Sequence, residues 1–327
     1  MLTRLRAIPL AAATILALTL CACGGGAAPS KDQPTKLTIG LIPIVDVAPL
    51  YLGIKQGYFK EEGIELDPVL AAGGAAIVPA VTSNSYQIGF SNNVSLIIGV
   101  SKGLPLQMVS PGVAISPANR SSNAAAGYCS VVTAGDSAIK GTADLPGKTV
   151  AVNTLNNIGD VTIRAALEAE GVNPAGVRFT ELPFPDMVAA VEQKRIDAAW
   201  VCEPFVTKLT GNGARAILDN YAKTDPNLSV ASYFAAKPWA QKNPELLAGF
   251  RRAMDKSMKF ASQNPDAVRA VLPEYTSIDP ATASKIGLPS FPTDFNEPSL
   301  NKLIEQSKKQ GLLGDKPVTV QSLTAKQ

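Results

Sequence analysis

From position 37 onward, short apolar runs with strand spacing alternate with longer runs that have helical spacing. Leu37-Thr38-Ile39-Gly40-Leu41-Ile42 turns every second side chain to one face, as a strand does. Pro49 stands where a helix can open, Leu50, Ile54 and Phe59 give it an apolar face, and Gly57 and Gly63 punctuate its exit. Ile64-Glu65-Leu66 reads as a second strand. A helix opening at Gly73-Gly74 runs through Val78 and Val81, and Gln87-Ile88-Gly89-Phe90 reads as a third strand. Strand, helix, strand, helix, strand is the order of a mainly parallel sheet covered by helices.

The same order returns. Thr149-Val150-Ala151-Val152 predicts a strand, Gly159 to Glu170 a helix stopped by Gly171, and Val177-Arg178-Phe179 a strand. Met187 to Val191 predicts a helix and Asp197-Ala198-Ala199-Trp200-Val201 a strand. Val78, Ala80 and Val81 fall on Val188, Ala190 and Val191 at an offset of 110 residues, and Gly89-Phe90 falls on Ala199-Trp200 at the same offset. Two similarly built α/β lobes follow. Ligands of such sheets bind beyond the carboxyl ends of the parallel strands, so facing lobes would set Asn92-Asn93 and Glu203 on opposite walls of one cleft.

Residues 37–125 are expected to form the first part of lobe 1, 126–228 lobe 2, and 229–327 a return to lobe 1 followed by C-terminal helices. In that tail Ser229 to Phe234 is a strand. Pro244 opens a helix whose Leu246, Leu247, Phe250, Met254 and Met258 share a face, while Arg251, Arg252, Lys256 and Lys259 read as solvated. Further helices are expected from Pro265 and from Ser299, with Leu303 and Ile304 inward.

The start of the chain is of another kind. Arg4 and Arg6 precede an apolar run from Ala7 to Leu20, too short for a bilayer span, and Leu20-Cys21-Ala22-Cys23 resembles a bacterial lipobox. Residues 1–22 then read as a lipoprotein signal peptide, Cys23 as the lipidated first residue, and 23–36, small and proline-punctuated, as a flexible tether. The protein is expected outside the cell membrane, anchored to its outer face. An ordinary signal peptide and a lone membrane helix are the competing readings.

Without Arg4 and Arg6, the 30 Lys and Arg become 28 against 27 Asp and Glu, a balance that gives no reason to expect nucleic acid. The chain has no histidine, which removes Ser-His-Asp and Cys-His catalysis and imidazole metal sites. No catalytic residue, metal or cofactor is expected. Cys129 and Cys202 remain; they are either a disulfide closing a loop of 73 residues, worth roughly 4 kcal/mol, or two unrelated core residues.

Pro43 to Ile64, with Leu50-Tyr51-Leu52-Gly53-Ile54-Lys55-Gln56-Gly57-Tyr58-Phe59 at its centre, resembles the opening of the periplasmic binding proteins for sulfonates, nitrate, taurine and thiamine-pyrimidine precursors. Asp144 to Val152, Ile196 to Trp200 followed by Glu203-Pro204, and Lys242-Asn243-Pro244-Glu245 match in the same order. The resemblance covers about Leu37 to Pro265. It implies a two-lobed type II binding-protein fold that closes on a small-molecule ligand by hinge motion. It also implies an ABC permease and its ATPase as partners, and a monomer is expected.

The family's binding loops fall on Ile44 to Tyr51, Gly73-Gly74, Ser91 to Asn93, Asn153 to Asn157 and Trp200 to Glu203. The candidate ligand residues are therefore Asp46, Tyr51, Gly74, Ser91, Asn92, Asn93, Asn153, Thr154, Asn156, Asn157, Trp200 and Glu203. Asn153 to Asn157, before a helix start, offers donors for an oxyanion, or else caps that helix. Asp46 and Glu203 would repel nitrate and favour an amine or a protonated ring nitrogen, as in a taurine-like zwitterion or a pyrimidine. Helix capping is the competing role for both. Tyr51 and Trp200 either stack on a ring or belong to the core. Arg120 reaches the cleft rim or is an exposed loop residue. An enzyme on the same scaffold, of pyrimidine-synthase or dehydratase type, and a ligand-sensing lipoprotein are the rival functions.

Overall fold

A computed structural model of the protein describes residues 33–115 and 127–324. The signal segment, Cys23, most of the tether and Arg120 lie outside the described residues. The strands are β1 Thr35–Leu41, β2 Ile64–Leu70, β3 Ile88–Asn92, β4 Leu106–Ala114, β5 Cys129–Thr133, β6 Thr149–Val152, β7 Arg178–Glu181, β8 Ala198–Cys202, β9 Arg215–Leu218 and β10 Ser229–Ala236. They form two five-stranded sheets, β2-β1-β3-β10-β4 and β7-β6-β8-β5-β9.

The two orders are one topology used twice. Helix Gly74–Thr82 and β3 return as helix Phe184–Glu192 and β8, each displaced by the 110 residues read from the sequence (74 to 184, 88 to 198). Each sheet holds one strand antiparallel to its neighbours, β10 in the first and β5 in the second. Both are the first strand after a crossover. The parallel strands end at the cleft, so a chain arriving from the other lobe starts at that edge and must run away from it.

In β1 the alternation puts Leu37, Ile39 and Leu41 in the core. Gly57, at φ 79°, breaks the predicted first helix into Ala48–Lys55 and Tyr58–Glu61. The sequence pattern did not predict β4, β5, β9 or the helix Asn93–Ser101. Pro111 inside β4 argues against a strand, and is tolerated because β4 is at the sheet edge. β5 is buried along its whole length, so it has no alternation to read.

Helix Pro244–Gln263 packs Leu247, Phe250, Met254 and Met258 inward as expected. Arg251 departs from its solvated reading. It is half-buried, donates from Nε to the Val109 carbonyl at 2.9 Å, and has its guanidinium lowered by burial. The tail also grips lobe 2. Gln310, just past helix Glu297–Lys309, donates from Nε2 to the Val161 carbonyl at 2.9 Å, and Lys309 pairs with Glu168. No described helix is long and apolar enough to cross a membrane.

Candidate ligand cleft

The loops at the carboxyl ends of β1, β3, β6 and β8 meet between the lobes and enclose a cavity with about 20 Å³ of free space, room for about one water. Lobe 1 contributes Ile44, Asp46, Phe90 and Asn92, and lobe 2 contributes Asn153, Asn157, Phe184, Trp200 and Tyr221. The described lining includes no lysine or arginine. The lobes touch beside the cavity. The Val45 amide donates to the Glu203 carbonyl at 3.0 Å, and Asn153 Nδ2 donates to the Ala72 carbonyl at 3.4 Å.

Asp46 lies in the turn Val45–Val47, is 2 % exposed, and caps neither that turn nor the helix Ala48–Lys55. Its Oδ1 is buried and has no hydrogen-bond partner among the described residues. Burial pushes its pKa up to about 7, because a carboxylate taken out of water favours its neutral form, and a hydrogen bond from its own backbone amide offsets only part of that. The hydroxyls of Tyr128 and Tyr233 are also buried and have no partner among the described residues, and both phenols are raised well above their ordinary range by burial and then by the Asp46 charge.

Glu203 is almost as buried, at 3 %, and burial pushes it up to about 7 as well. Its oxygens, however, are taken. Oε1 accepts from Thr207 Oγ1 at 2.6 Å and from the Gly287 amide at 3.2 Å, and Oε2 accepts from the Thr207 amide at 3.0 Å. It holds the start of helix Phe205–Gly211 and ties lobe 2 to the tail, so its capping reading describes the geometry and it does not line the cavity.

The polar residues of lobe 2 satisfy one another. Asn157 caps helix Ile158–Ala169, its Oδ1 accepting from the Gly159 amide at 2.8 Å. Its Nδ2 donates to Asn153 Oδ1 at 2.7 Å and to Thr154 Oγ1 at 2.9 Å. Asp160 takes the amides of Asn156 and Asn157 and adds a carboxylate to the first turn, which works against an oxyanion there. The Asn156 side chain is exposed, at a backbone φ of 53°.

In lobe 1, Asn92 caps helix Asn93–Ser101 through the Ser95 amide at 2.9 Å and also faces the cavity. Asn93 is used up by β10, donating to the Ser229 carbonyl at 2.9 Å and accepting from Ser232 Oγ at 2.7 Å. Ser91 packs against Gly74 so closely that a Cβ on the glycine would lie 1.9 Å from Ser91 Oγ. Tyr51 stacks on Tyr275, ring centroids 4.1 Å apart, outside the cavity lining.

Trp200 is a cavity wall. Its Nε1 donates to Asn220 Oδ1 at 3.1 Å, and its ring lies on Gly159, where a Cβ would be 2.6 Å from the indole. Phe184 and Tyr221 flank it, with ring centroids 5.6 and 5.9 Å away. Those two walls, and Phe90, are absent from the sequence-derived set. A signal existed for one of them, since Phe184 stands 110 residues after Gly74, the offset of the repeat. β5 and β8 pair Cys129 with Cys202, the two form a disulfide, and Cys202 faces the cavity.

Comparison with known proteins agrees with this architecture. The sequence profile of the family described as NMT1/THI5 like matches residues 44–268. The taurine-binding periplasmic protein of Escherichia coli is 27% identical over 64% of this chain, and the matched segment spans 61% of that protein's length. The riboflavin-binding protein RibY of Chloroflexus aurantiacus is 25% identical over 80% of this chain and 76% of its own. Among solved structures, the periplasmic aliphatic sulphonate binding protein SsuA of Escherichia coli superimposes with a TM-score of 0.68, at 19% identity, over 90% of this chain and 93% of that one. That likeness establishes the two-lobed fold.

Proposed function

The chain belongs to the NMT1/THI5-like family, and from that premise we propose that it is an exported, non-catalytic solute-binding protein that hands a small nitrogen-bearing organic molecule to an ABC importer. The relatives that carry curated names are binding proteins, for taurine and for riboflavin among others, and the matched fold is that of a binding protein. The absence of histidine supports a binding role over an enzymatic one. Lipidation at Cys23 and the tether of residues 23–36 would hold the cleft beside its permease, raising the local concentration without any new contact.

The observation that carries the ligand class is Asp46. A buried carboxylate whose Oδ1 has no donor among the described residues, on a cavity whose described lining includes no lysine or arginine and with Phe90, Phe184, Trp200 and Tyr221 around it, favours a ligand that brings a positive charge or N–H donors. Taurine-like amines and pyrimidine-like rings meet that requirement, and nitrate does not.

A thermal-shift screen of the mature protein against taurine, alkanesulfonates, pyrimidines, nitrate and aromatic acids tests this. Stabilisation by nitrogen-bearing solutes is expected, and a shift with nitrate alone would refute the ligand class. Soluble export of a Cys23→Ala variant is the expected mark of the anchor, and unchanged membrane retention would remove it.

A further inference from the structure

A second cavity, with about 450 Å³ of free space, lies at the outer edge of lobe 1 and shares no lining residue with the one between the lobes. The tail builds it. It bridges the edge strand β4 at two points, Thr324 to Met108 and Ser290 to Ala114. Between those points residues 109–111 form one wall of the cavity. Helix Pro244–Gln263 adds Arg251 and Asp255, and the tail adds Asp294, Phe295 and Glu297. Sites for small molecules span about 300–1,000 Å³, so the space is of the right order.

Its charges are held apart. Arg251 is fixed through Nε, which donates to the Val109 carbonyl at 2.9 Å, and no described residue takes its Nη donors. Asp255 stands one turn further along the same helix face, with its Cβ about 5–6 Å away. Both are half-buried, yet they form no ion pair, and the Asp255 carboxylate accepts no hydrogen bond from a described residue. Burial raises Asp255; Lys259 and Arg251 pull it down, and Asp294 pushes it up. Asp294 Oδ2 accepts from Thr293 Oγ1 at 3.0 Å.

A lone anion would find Arg251 but face three carboxylates, and a lone cation would leave the guanidinium without a partner. Among the described residues no three acidic, cysteine or histidine side chains converge to hold a metal ion. A solute with both charges meets both needs, because a carboxylate accepts from the Nη donors and an ammonium donates to carboxylates. We propose that this cavity is a second binding site, for a small amino-acid-like zwitterion, its carboxylate on Arg251 and its ammonium between Asp255 and Asp294. Phe295 gives the carbon chain between the two charges an apolar wall. The site stands apart from the solute-binding reading of the cleft and does not depend on it.

Calorimetry on the mature Asp46→Asn protein, whose cleft is weakened toward amines, tests the proposal. The probes are glycine, γ-aminobutyrate and L-lysine, which carry the two charges at different separations, with butyrate and butylamine as the two half-molecules. One zwitterion or more is expected to bind at least tenfold more tightly than either half-molecule. Adding Arg251→Gln or Asp255→Asn should each cost that zwitterion roughly tenfold. Arg251→Gln also disturbs the bond to Val109. Asp255→Asn keeps the test readable, since it removes a charge that burial disfavours and should melt at or above its parent.

Half-molecules that bind as well as the zwitterions, or affinity unchanged by Asp255→Asn, would overturn the second site. So would zwitterion binding seen in the wild type and abolished by Asp46→Asn, which would place it in the cleft alone. No binding of any probe to the Asp46→Asn protein would also overturn it. All of these outcomes leave the cleft reading to its own screen.

Discussion

Asp46 and Glu203 sit at the ends of neighbouring loops, both buried and both pushed up to about 7, yet the protein uses them in opposite ways. Glu203 is surrounded by donors of its own chain, two from Thr207 and one from Gly287. Asp46 has an oxygen that nothing in the described protein serves. Burial and a raised pKa therefore do not distinguish a ligand residue from a structural one here. Place and partner count together do: Asp46 turns an unserved oxygen to the cavity wall, whereas Asp219 Oδ2, also unserved among the described residues, lies away from it.

The contrast can be broken most directly at Asp46. Asp46→Asn should weaken binding of a primary amine about a hundredfold or more and raise the ligand-free melting temperature at pH 8, since it removes a charge that burial penalises. Calorimetry and thermal melts report the two effects, and a variant that loses stability while keeping affinity would reverse the assignment.

Acidity sharpens the same point. Asp46 and Glu203 titrate near 7 and Asp219 near 6, all above their unfolded values of 3.8 or 4.5. Their contribution to stability is therefore full below about pH 4 and is lost as pH rises through 6 to 7. The ligand-free protein should melt about 5 °C higher at pH 5 than at pH 8. Amine affinity should run the other way, falling about tenfold per unit below pH 7 as Asp46 takes up its proton. The groups facing Asp46 are Tyr128, Tyr221, Tyr233 and Tyr275, which stay neutral across this range, and Asp219 acts on two of them.

Gly159→Ala probes the aromatic wall. The added methyl, 2.6 Å from the Trp200 ring, must push the indole toward the cavity, and a loss of about tenfold in affinity with about 1–3 kcal/mol in stability is expected from binding and denaturation curves. Glu203→Gln should have the smallest effect on binding, less than about threefold, with about 1 kcal/mol lost from the cap in urea denaturation. A larger binding loss would return Glu203 to the cleft.

The repeat of two lobes was legible because period and order survive in a single sequence. The 110-residue offset read from Val78, Val81 and Phe90 is the offset at which helix and strand boundaries coincide. Of the loops at the cleft, those holding Asn92-Asn93 and Glu203 followed from strand ends, and the others came from the resemblance to known binding proteins. What each side chain does there did not. The fate of Glu203 depends on Gly287, 84 positions away, and that of Asn93 on Ser229, 136 positions away. Neither partner is marked by any local pattern. Tyr128 and Tyr233 are core aromatics that no sequence pattern singles out, and only the missing partners of their hydroxyls among the described residues set them apart. Arg251 looked solvated because helical spacing locates a face and says nothing of a carbonyl, that of Val109, waiting beside it.

The disulfide has a consequence for how the protein must be made. Cys202 is a rung of lobe 2 and also a tile of the cavity wall, and Cys129 fastens it to the strand that enters the lobe. A chain folded where thiols stay reduced would assemble both sheets around a wall that is not yet fastened. The finished cleft is thus a product of its compartment, and material harvested from a reducing cytosol should be oxidised before its affinity is measured.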